Sequence, residues 1–126
     1  MATAPIFVGT PKSWAAEISA ANTNRDGTGT VVTLATAGAN GSLIDRLHAV
    51  AEATTTAGVV RLFLHDGTIF ILWRELLVPA ITPSATVEVW WTEIDCNGLV
   101  LPSGWSLRAA THNAEVFNVV AQGGDF

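Results

Sequence analysis

The side chains that could carry out chemistry are scattered along the chain. The three histidines, His48, His65 and His112, are far apart in sequence, and none belongs to the His-x-His pair expected of a cupin-type metal site. Ser103 precedes Gly104 but lacks the Gly-x-Ser-x-Gly sequence that exposes a nucleophilic serine. We therefore expect no metal site, no bound cofactor and no enzyme activity.

The carboxylates and the single cysteine supply no catalytic pair either. Glu88 and Glu93 fall on opposite faces of a predicted strand, because successive side chains of a strand alternate. Asp26 and Asp66 each precede a glycine, which is typical of turns. Cys96 can form no disulfide within the chain, and we expect it to be structural and not reactive.

Tryptophan is the remaining candidate for a binding role, since the chain has five tryptophans and no tyrosine. Trp90 and Trp91 are adjacent in a predicted strand, so their side chains must face opposite ways. One can enter the core, and the other must meet solvent, a ligand or a neighbouring subunit. An exposed tryptophan on a sheet can lie partly under a loop, anchor a subunit interface or stack on a sugar ring.

Charge and hydropathy limit the possible partners. The net charge is −5 and no basic cluster occurs, which argues against binding to nucleic acid through its phosphates. The N-terminus lacks the basic start and apolar core of a signal peptide, and no apolar run approaches the roughly 18 to 20 residues of a membrane helix. We expect a soluble chain, made in the cytoplasm, that binds neither nucleic acid nor membrane.

The low charge content also predicts assembly with other chains. Charged residues make up 13% of the sequence, against roughly 25% in an average domain, while hydrophobic residues make up 49%. A small monomer needs charges to keep its surface hydrated. A subunit that shares its surface with neighbours needs fewer of them.

The segments that must position these residues are predicted to be strands. The clearest is a hairpin at residues 59–79, where Asp66-Gly67 between two apolar runs favours a type I′ turn. Arg61, Arg74 and Glu75 interrupt its apolar runs, and we expect them to help satisfy an interface. Alternation and turn clusters predict the remaining strands at residues 12–21, 30–36, 43–53, 86–95, 105–110 and 114–121.

Three details of this pattern are less clear-cut. Residues 43–53 also fit a helix, but their neighbours are all predicted strands, so we favour a strand. Asn97-Gly98 predicts a second hairpin turn, followed by a short return strand at residues 99–101. The tail, residues 122–126, is expected to fray unless Phe126 docks.

About eight strands separated by turn residues predict an all-β protein, a single-domain β-sandwich or jelly roll of antiparallel strands over residues 12–126. Residues 1–11 are predicted to be an N-terminal arm or a short edge strand, because prolines flank its apolar residues. This apolar triplet, Ile6, Phe7 and Val8, either packs on its own domain or docks on a partner chain.

Four stretches of the chain resemble small virion proteins of tailed bacteriophages: PIFVGTPKSW, NRDGTGTVVTLATAGANGS, RLFLHDGT and GWSLRAATHNAEVFNVVAQGGDF. They are similar, more specifically, to head decoration (cement) proteins with a jelly-roll fold. The resemblance implies a homotrimer on the outer surface of a phage head, bound where major capsid proteins meet, that clamps the shell against internal DNA pressure. It carries over no active-site residue, and a tail or head-fibre component would share many of these features.

We therefore expect a structural virion protein, made in the host cytoplasm, whose partners are its own copies and the major capsid protein. The alternative is a carbohydrate-binding module, or a fibre or tail component, that uses an exposed tryptophan. The residues predicted to form partner interfaces are Ile6, Phe7, Val8, Trp14, Trp90 and Trp91.

Overall fold

The computed structural model describes residues 8–126, which form eight strands and no helix. The strands are β1 (Thr10–Ile18), β2 (Val32–Thr36), β3 (Ser42–Ala51), β4 (Gly58–His65), β5 (Phe70–Val78), β6 (Trp91–Leu101), β7 (Ser106–Thr111) and β8 (Phe117–Asp125). Within residues 8–126, no helix is long and apolar enough to span a membrane. The predicted all-β class is confirmed, and β1 begins inside the segment predicted to be an N-terminal arm.

The strands form two four-stranded sheets that pack face to face. Sheet I has the order β1-β8-β3-β6, and sheet II has the order β2-β7-β4-β5. The first strand pairs with the last, the second with the seventh, the third with the sixth and the fourth with the fifth, all antiparallel. This nested pairing is that of a long hairpin rolled up on itself, which is the jelly-roll arrangement. The predicted β-sandwich is therefore confirmed.

The core lies between the two sheets and is filled by alternate residues of each strand. At one side of it, Trp90 meets Phe117 edge to face, with ring centroids 5.6 Å apart and planes at 87°. Such a pair adds about 0.5–1.5 kcal/mol beyond the area that it buries. The largest fully buried aliphatic side chains are Ile18, Ile44, Leu47, Val60, Leu62, Leu101, Leu107 and Val119.

The segment that also fitted a helix, residues 43–53, forms strand β3 in the middle of sheet I. It pairs with β6 on one side and β8 on the other, so its backbone groups are bonded on both edges. Leu47, Ala49 and Ala51 are buried in the core, and the residues between them face outward. The alternating pattern prevails over helix propensity because an extended strand here forms backbone hydrogen bonds with both β6 and β8.

The central hairpin is confirmed, with β4 and β5 paired from Gly58 and Val78 to His65 and Phe70. Its turn differs from the predicted type I′ turn. A type I′ turn requires a positive φ at both central residues. Gly67 has a φ of 101°, but the φ of Asp66 is not positive. Instead, the Asp66 carboxylate accepts the N–H groups of both Thr68 and Ile69 at 2.9 Å. The side chain therefore satisfies the loop backbone in a longer, four-residue connection, 66–69.

The predicted hairpin turn at Asn97-Gly98 is wrong. Both residues do have positive φ, 53° and 71°, but strand β6 continues through them to Leu101. The register with β3 shifts between Ile44 and Arg46, so the extra residues of β6 bulge out of the ladder. The separate return strand at residues 99–101 is therefore part of β6, and β6 begins at Trp91 instead of residue 86.

The C-terminal tail is ordered, and Phe126 does dock. Strand β8 extends to Asp125 between β1 and β3, and the Phe126 N–H donates to the Gly41 carbonyl at 3.1 Å. A Cβ at Gly123 would collide with the carbonyl oxygen of Leu43, so only glycine lets β8 approach β3 this closely. Gly123 and Gly124, in the tail that was expected to fray, both allow close packing of β8 against its neighbouring strands.

Candidate interaction surfaces

The residues predicted to form interfaces lie in different places. Ile6 and Phe7 fall outside the described residues. Val8 is half-buried and lies against Gly124, so this end of the arm packs on its own domain. Trp14 is half-buried and packs against the core from β1.

Trp90 and Trp91 face opposite ways, as predicted. Trp90 is 7% exposed and belongs to the core, so its ring has no surface to offer a partner. The prediction that Trp90 contributes to an interface is corrected on this ground. Trp91 is 48% exposed on the outer face of sheet I. Alternation along β6 decides which ring enters the core, because Thr92, Ile94 and Cys96 share the inward parity of Trp90.

Three neighbouring cross-strand rows on the outer face of sheet I each contain one residue from β1, β8, β3 and β6. The register brings together residues that are far apart in sequence, such as Ser13 and Gln122, which are 109 positions apart. The rows are Ser13, Gln122, Arg46 and Asp95; Ala15, Val120, His48 and Glu93; and Glu17, Asn118, Val50 and Trp91.

A depression of about 250 Å³ opens on this face around His48, and it is lined by Arg46, His48, Glu93, Val120 and Gln122. We call it the His48 depression. Arg46 Nη1 lies 2.6 Å from Glu93 Oε1, so its two charged groups form an ion pair. The lining therefore offers guanidinium and amide donors and carboxylate and amide acceptors, with little net charge.

Trp91 stands beside the His48 depression as an exposed, oriented aromatic ring. The imidazole of His48 stacks on it with centroids 5.8 Å apart and planes at 16°. Its indole Nε1 donates to Glu88 Oε1 at 3.1 Å. These two contacts hold the ring in one orientation while much of its apolar surface stays in contact with solvent.

Part of the outer face of sheet II is covered by the chain itself, through the loop between β1 and β2 (residues 19–31). Asn22 is the centre of this loop, and its N–H donates to the Thr111 carbonyl at 2.8 Å. Its side-chain amide donates to the carbonyls of Thr28 and Thr30 at 2.9 and 3.0 Å. One buried asparagine thus shapes the loop and attaches it to β7.

Arg61 is buried beneath this loop, with a side chain that is only 1% exposed. Its Nε donates to Glu75 Oε2, its Nη1 to the Asn22 carbonyl, and its Nη2 lies 3.1 Å from His112 Nδ1. Arg25 Nε also donates to Glu75 Oε2, at 2.9 Å. The bonds from Arg25 and Arg61 lower the pKa of Glu75 below its usual value. Arg61 and Glu75, expected at an interface, are engaged within the chain.

The free edge of sheet II carries exposed apolar side chains. Strand β5 is the last strand of this sheet, so one of its edges has no partner strand in the described chain. On β5, Leu77 is 80% exposed and two further apolar side chains are also exposed, and Ile69, directly before the strand, is 55% exposed. We call these residues the β5 strip: Ile69, Ile71, Leu72 and Leu77. Exposed apolar residues along an edge strand make the β5 strip a candidate contact surface.

The potential metal ligands and the single thiol are the remaining chemical groups of residues 8–126. This part of the chain contains no group of three or more His, Cys, Asp or Glu side chains that could hold a metal ion. Cys96 is buried, and its burial raises the pKa of the thiol to about 11. At neutral pH it is a protonated, apolar core residue.

Sequence reasoning did not identify the residues of the His48 depression. The alternation of residues 43–53 does place Arg46 and His48 on the same face of a strand, so this part of the site could have been predicted. It does not reveal that Glu93 and Gln122 join them, because that depends on β3 lying between β6 and β8.

No protein-family model matches the chain, and no curated protein is significantly similar to it. The assignment of function therefore depends on the surfaces described above.

Proposed function

We propose that this chain is a structural virion protein, a decoration (cement) protein that binds the outer surface of a phage head as a homotrimer. The observation that carries the proposal is the β5 strip on the free edge of sheet II. In the trimer, each subunit buries its β5 strip against a neighbour. The protein acts by binding and has no catalytic role.

The exposure of the β5 strip makes it costly to leave uncovered. Leu77 is 80% exposed and Ile69 55% exposed, although both are large apolar side chains. Burying one such side chain fully contributes roughly 1.5–3 kcal/mol. Natural edge strands usually carry charges or prolines that prevent pairing. In β5 the charges, Arg74 and Glu75, lie in the middle of the strand, and the exposed apolar residues lie on either side of them. A trimer requires the strip to pack on a different patch of the neighbouring subunit, because contact between two copies of the same strip would close as a two-fold dimer.

Binding to a shell of major capsid proteins is supported by the composition. Charged residues make up only 13% of the chain, which suits a subunit that loses surface to its sister subunits and to the shell. The first residues of the chain supply two more apolar side chains, Ile6 and Phe7, for a contact with a neighbour. Three joined subunits would bind the capsid more tightly than one subunit, because the first contact holds the other two close to their sites.

Size-exclusion chromatography with light scattering tests the trimer. We expect the mass of three chains at micromolar concentration. Leu77→Glu should shift the mass toward one chain, because it places a charge in the buried strip. The matched control is Val100→Glu, at a residue on β6 that is 50% exposed, which should stay trimeric. A monomeric wild-type protein would overturn the proposed assembly.

Cosedimentation with purified heads of the phage that carries the gene tests the location. We expect the wild-type protein to pellet with the heads and the Leu77→Glu variant to bind more weakly, since it loses multivalency. A protein that forms trimers but stays in the supernatant, or that pellets with tails, would refute the head-decoration role.

A further inference from the structure

We infer that the His48 depression is a binding site for a neutral saccharide, with Trp91 as the surface on which a sugar ring stacks. This site goes beyond the proposed assembly and does not depend on it. It lies on the outer face of sheet I, whereas the β5 strip lies on the edge of sheet II. Both surfaces are therefore available in the same molecule.

The polar lining of the depression matches sugar hydroxyls, which both donate and accept hydrogen bonds. Arg46 supplies donors, Glu93 supplies acceptors, and the Gln122 amide supplies both. All three side chains come from neighbouring strands of a regular sheet, so their positions are set by the register. Ordering these long side chains opposes binding through lost rotamer entropy, and the Arg46–Glu93 ion pair already restrains two of the three.

The aromatic part of the site matches the apolar face of a sugar ring. Trp91 is 48% exposed, and its indole N–H is occupied by Glu88. The hydrogen-bonding group of the ring is thus already satisfied, and what remains exposed is apolar. The stacked imidazole of His48 extends from Trp91 into the depression, since His48 also lines it. An aromatic surface beside a polar depression is the combination that a sugar ring requires.

The charges at the site favour a neutral ligand over an anionic one. Arg46 is paired with Glu93 at 2.6 Å, so its positive charge is already compensated. A purely apolar partner is disfavoured too, because covering this surface would leave the side-chain amide of Gln122 without hydrogen-bond partners. The volume of about 250 Å³ is below the roughly 300–1,000 Å³ of pockets for drug-sized ligands, which suits a single sugar unit of a longer chain.

The site is suited to binding and not to cleavage of the saccharide. Glycoside hydrolysis uses two carboxyl groups on either side of the scissile bond. Glu93 is the one carboxylate among the residues that line the depression, and it is held by Arg46.

Isothermal titration calorimetry with neutral tetrasaccharides of glucose, mannose, galactose and N-acetylglucosamine tests the inference. We expect at least one of them to bind with a millimolar or lower Kd. Trp91→Ala should weaken binding at least about tenfold, as loss of a central aromatic contact does. Gln122→Ala, in the depression itself, should also weaken it. Val100→Ala, a truncation of another exposed residue of β6, is the matched control and should bind like the wild type.

Three results would overturn the inference. The first is no binding of any of the four tetrasaccharides at millimolar concentration. The second is undiminished binding by folded Trp91→Ala and Gln122→Ala variants. The third is a change of oligomeric mass in Trp91→Ala without any saccharide binding, which would make Trp91 part of a protein interface. If Trp91→Ala fails to fold, Gln122→Ala decides between these results. A monomeric protein that binds a tetrasaccharide would refute the proposed trimer and leave this site in place.

Discussion

Arg61 and Glu75 lie directly opposite each other on β4 and β5, and Arg61 Nε donates to Glu75 Oε2 at 2.9 Å. The arginine side chain is 1% exposed and the glutamate side chain 29% exposed. Because the other guanidinium nitrogens bond to Asn22 and His112, the buried charge is fully engaged. This pair fastens the β1–β2 loop over the outer face of sheet II.

Removing the charge of Glu75 should destabilise the fold more than removing an exposed one. Glu75→Gln leaves Arg61 buried without its counterion, and we expect a loss of about 1–3 kcal/mol in the free energy of unfolding. The matched control is Glu93→Gln, whose partner Arg46 is 59% exposed and which should lose at most about 1 kcal/mol. Urea denaturation of the two variants measures both values. Equal losses would show that burial of Arg61 does not strengthen the pair.

Acid should destabilise the protein partly through Glu75 and Asp125. The pKa of Glu75 is lowered by hydrogen bonds from Arg25 and Arg61, and that of Asp125 by hydrogen bonds from Lys12 and Ser42. A carboxylate with a lowered pKa in the folded state stabilises the fold above its unfolded pKa. That contribution is lost as the pH falls through the folded pKa. Between about pH 5 and about pH 3, the wild type should therefore lose more stability than Glu75→Gln. Parallel losses in the two proteins would contradict this assignment.

Adding one methyl group at Gly123 should disrupt the junction of β8 and β3. The new Cβ collides with the backbone of Leu43, which cannot move without breaking the ladder. We expect Gly123→Ala to cost about 1–3 kcal/mol, as overpacking typically does. Gly9→Ala is the control, because a Cβ there meets its nearest atom at 3.8 Å, an ordinary contact. Thermal unfolding followed by circular dichroism compares the two. An unchanged melting temperature for Gly123→Ala would contradict the close approach.

The thiol of Cys96 should be unreactive in the folded protein. It is buried and its pKa is raised to about 11, so almost no thiolate forms at neutral pH. We expect an aromatic disulfide reagent to label the protein slowly in buffer and at once in denaturant. Rapid labelling of the folded protein would show that the β6 bulge opens readily beside the cysteine.

Local patterns in the sequence were sufficient to predict most of the strands and the direction in which several side chains point. Alternation along residues 43–53 placed Arg46 and His48 on one face and Leu47 on the other, and the structure shows that the face of Leu47 is the buried one. The opposite directions of Trp90 and Trp91 followed from the same geometry. The hairpin of β4 and β5 was predicted from a short-range signal, a turn between two apolar runs.

Only the tertiary structure decided how those strands combine into surfaces. Asn97 and Gly98 have the backbone angles of a turn, yet pairing with β3 makes them a bulge. Arg46, Glu93 and Gln122 meet because β3 lies between β6 and β8, which no local pattern encodes. The sequence by itself determined the strands, since alternation and turn chemistry act over a few residues. The strand order, the His48 depression and the covering of Arg61 depend on contacts between distant segments, and only the folded chain sets them.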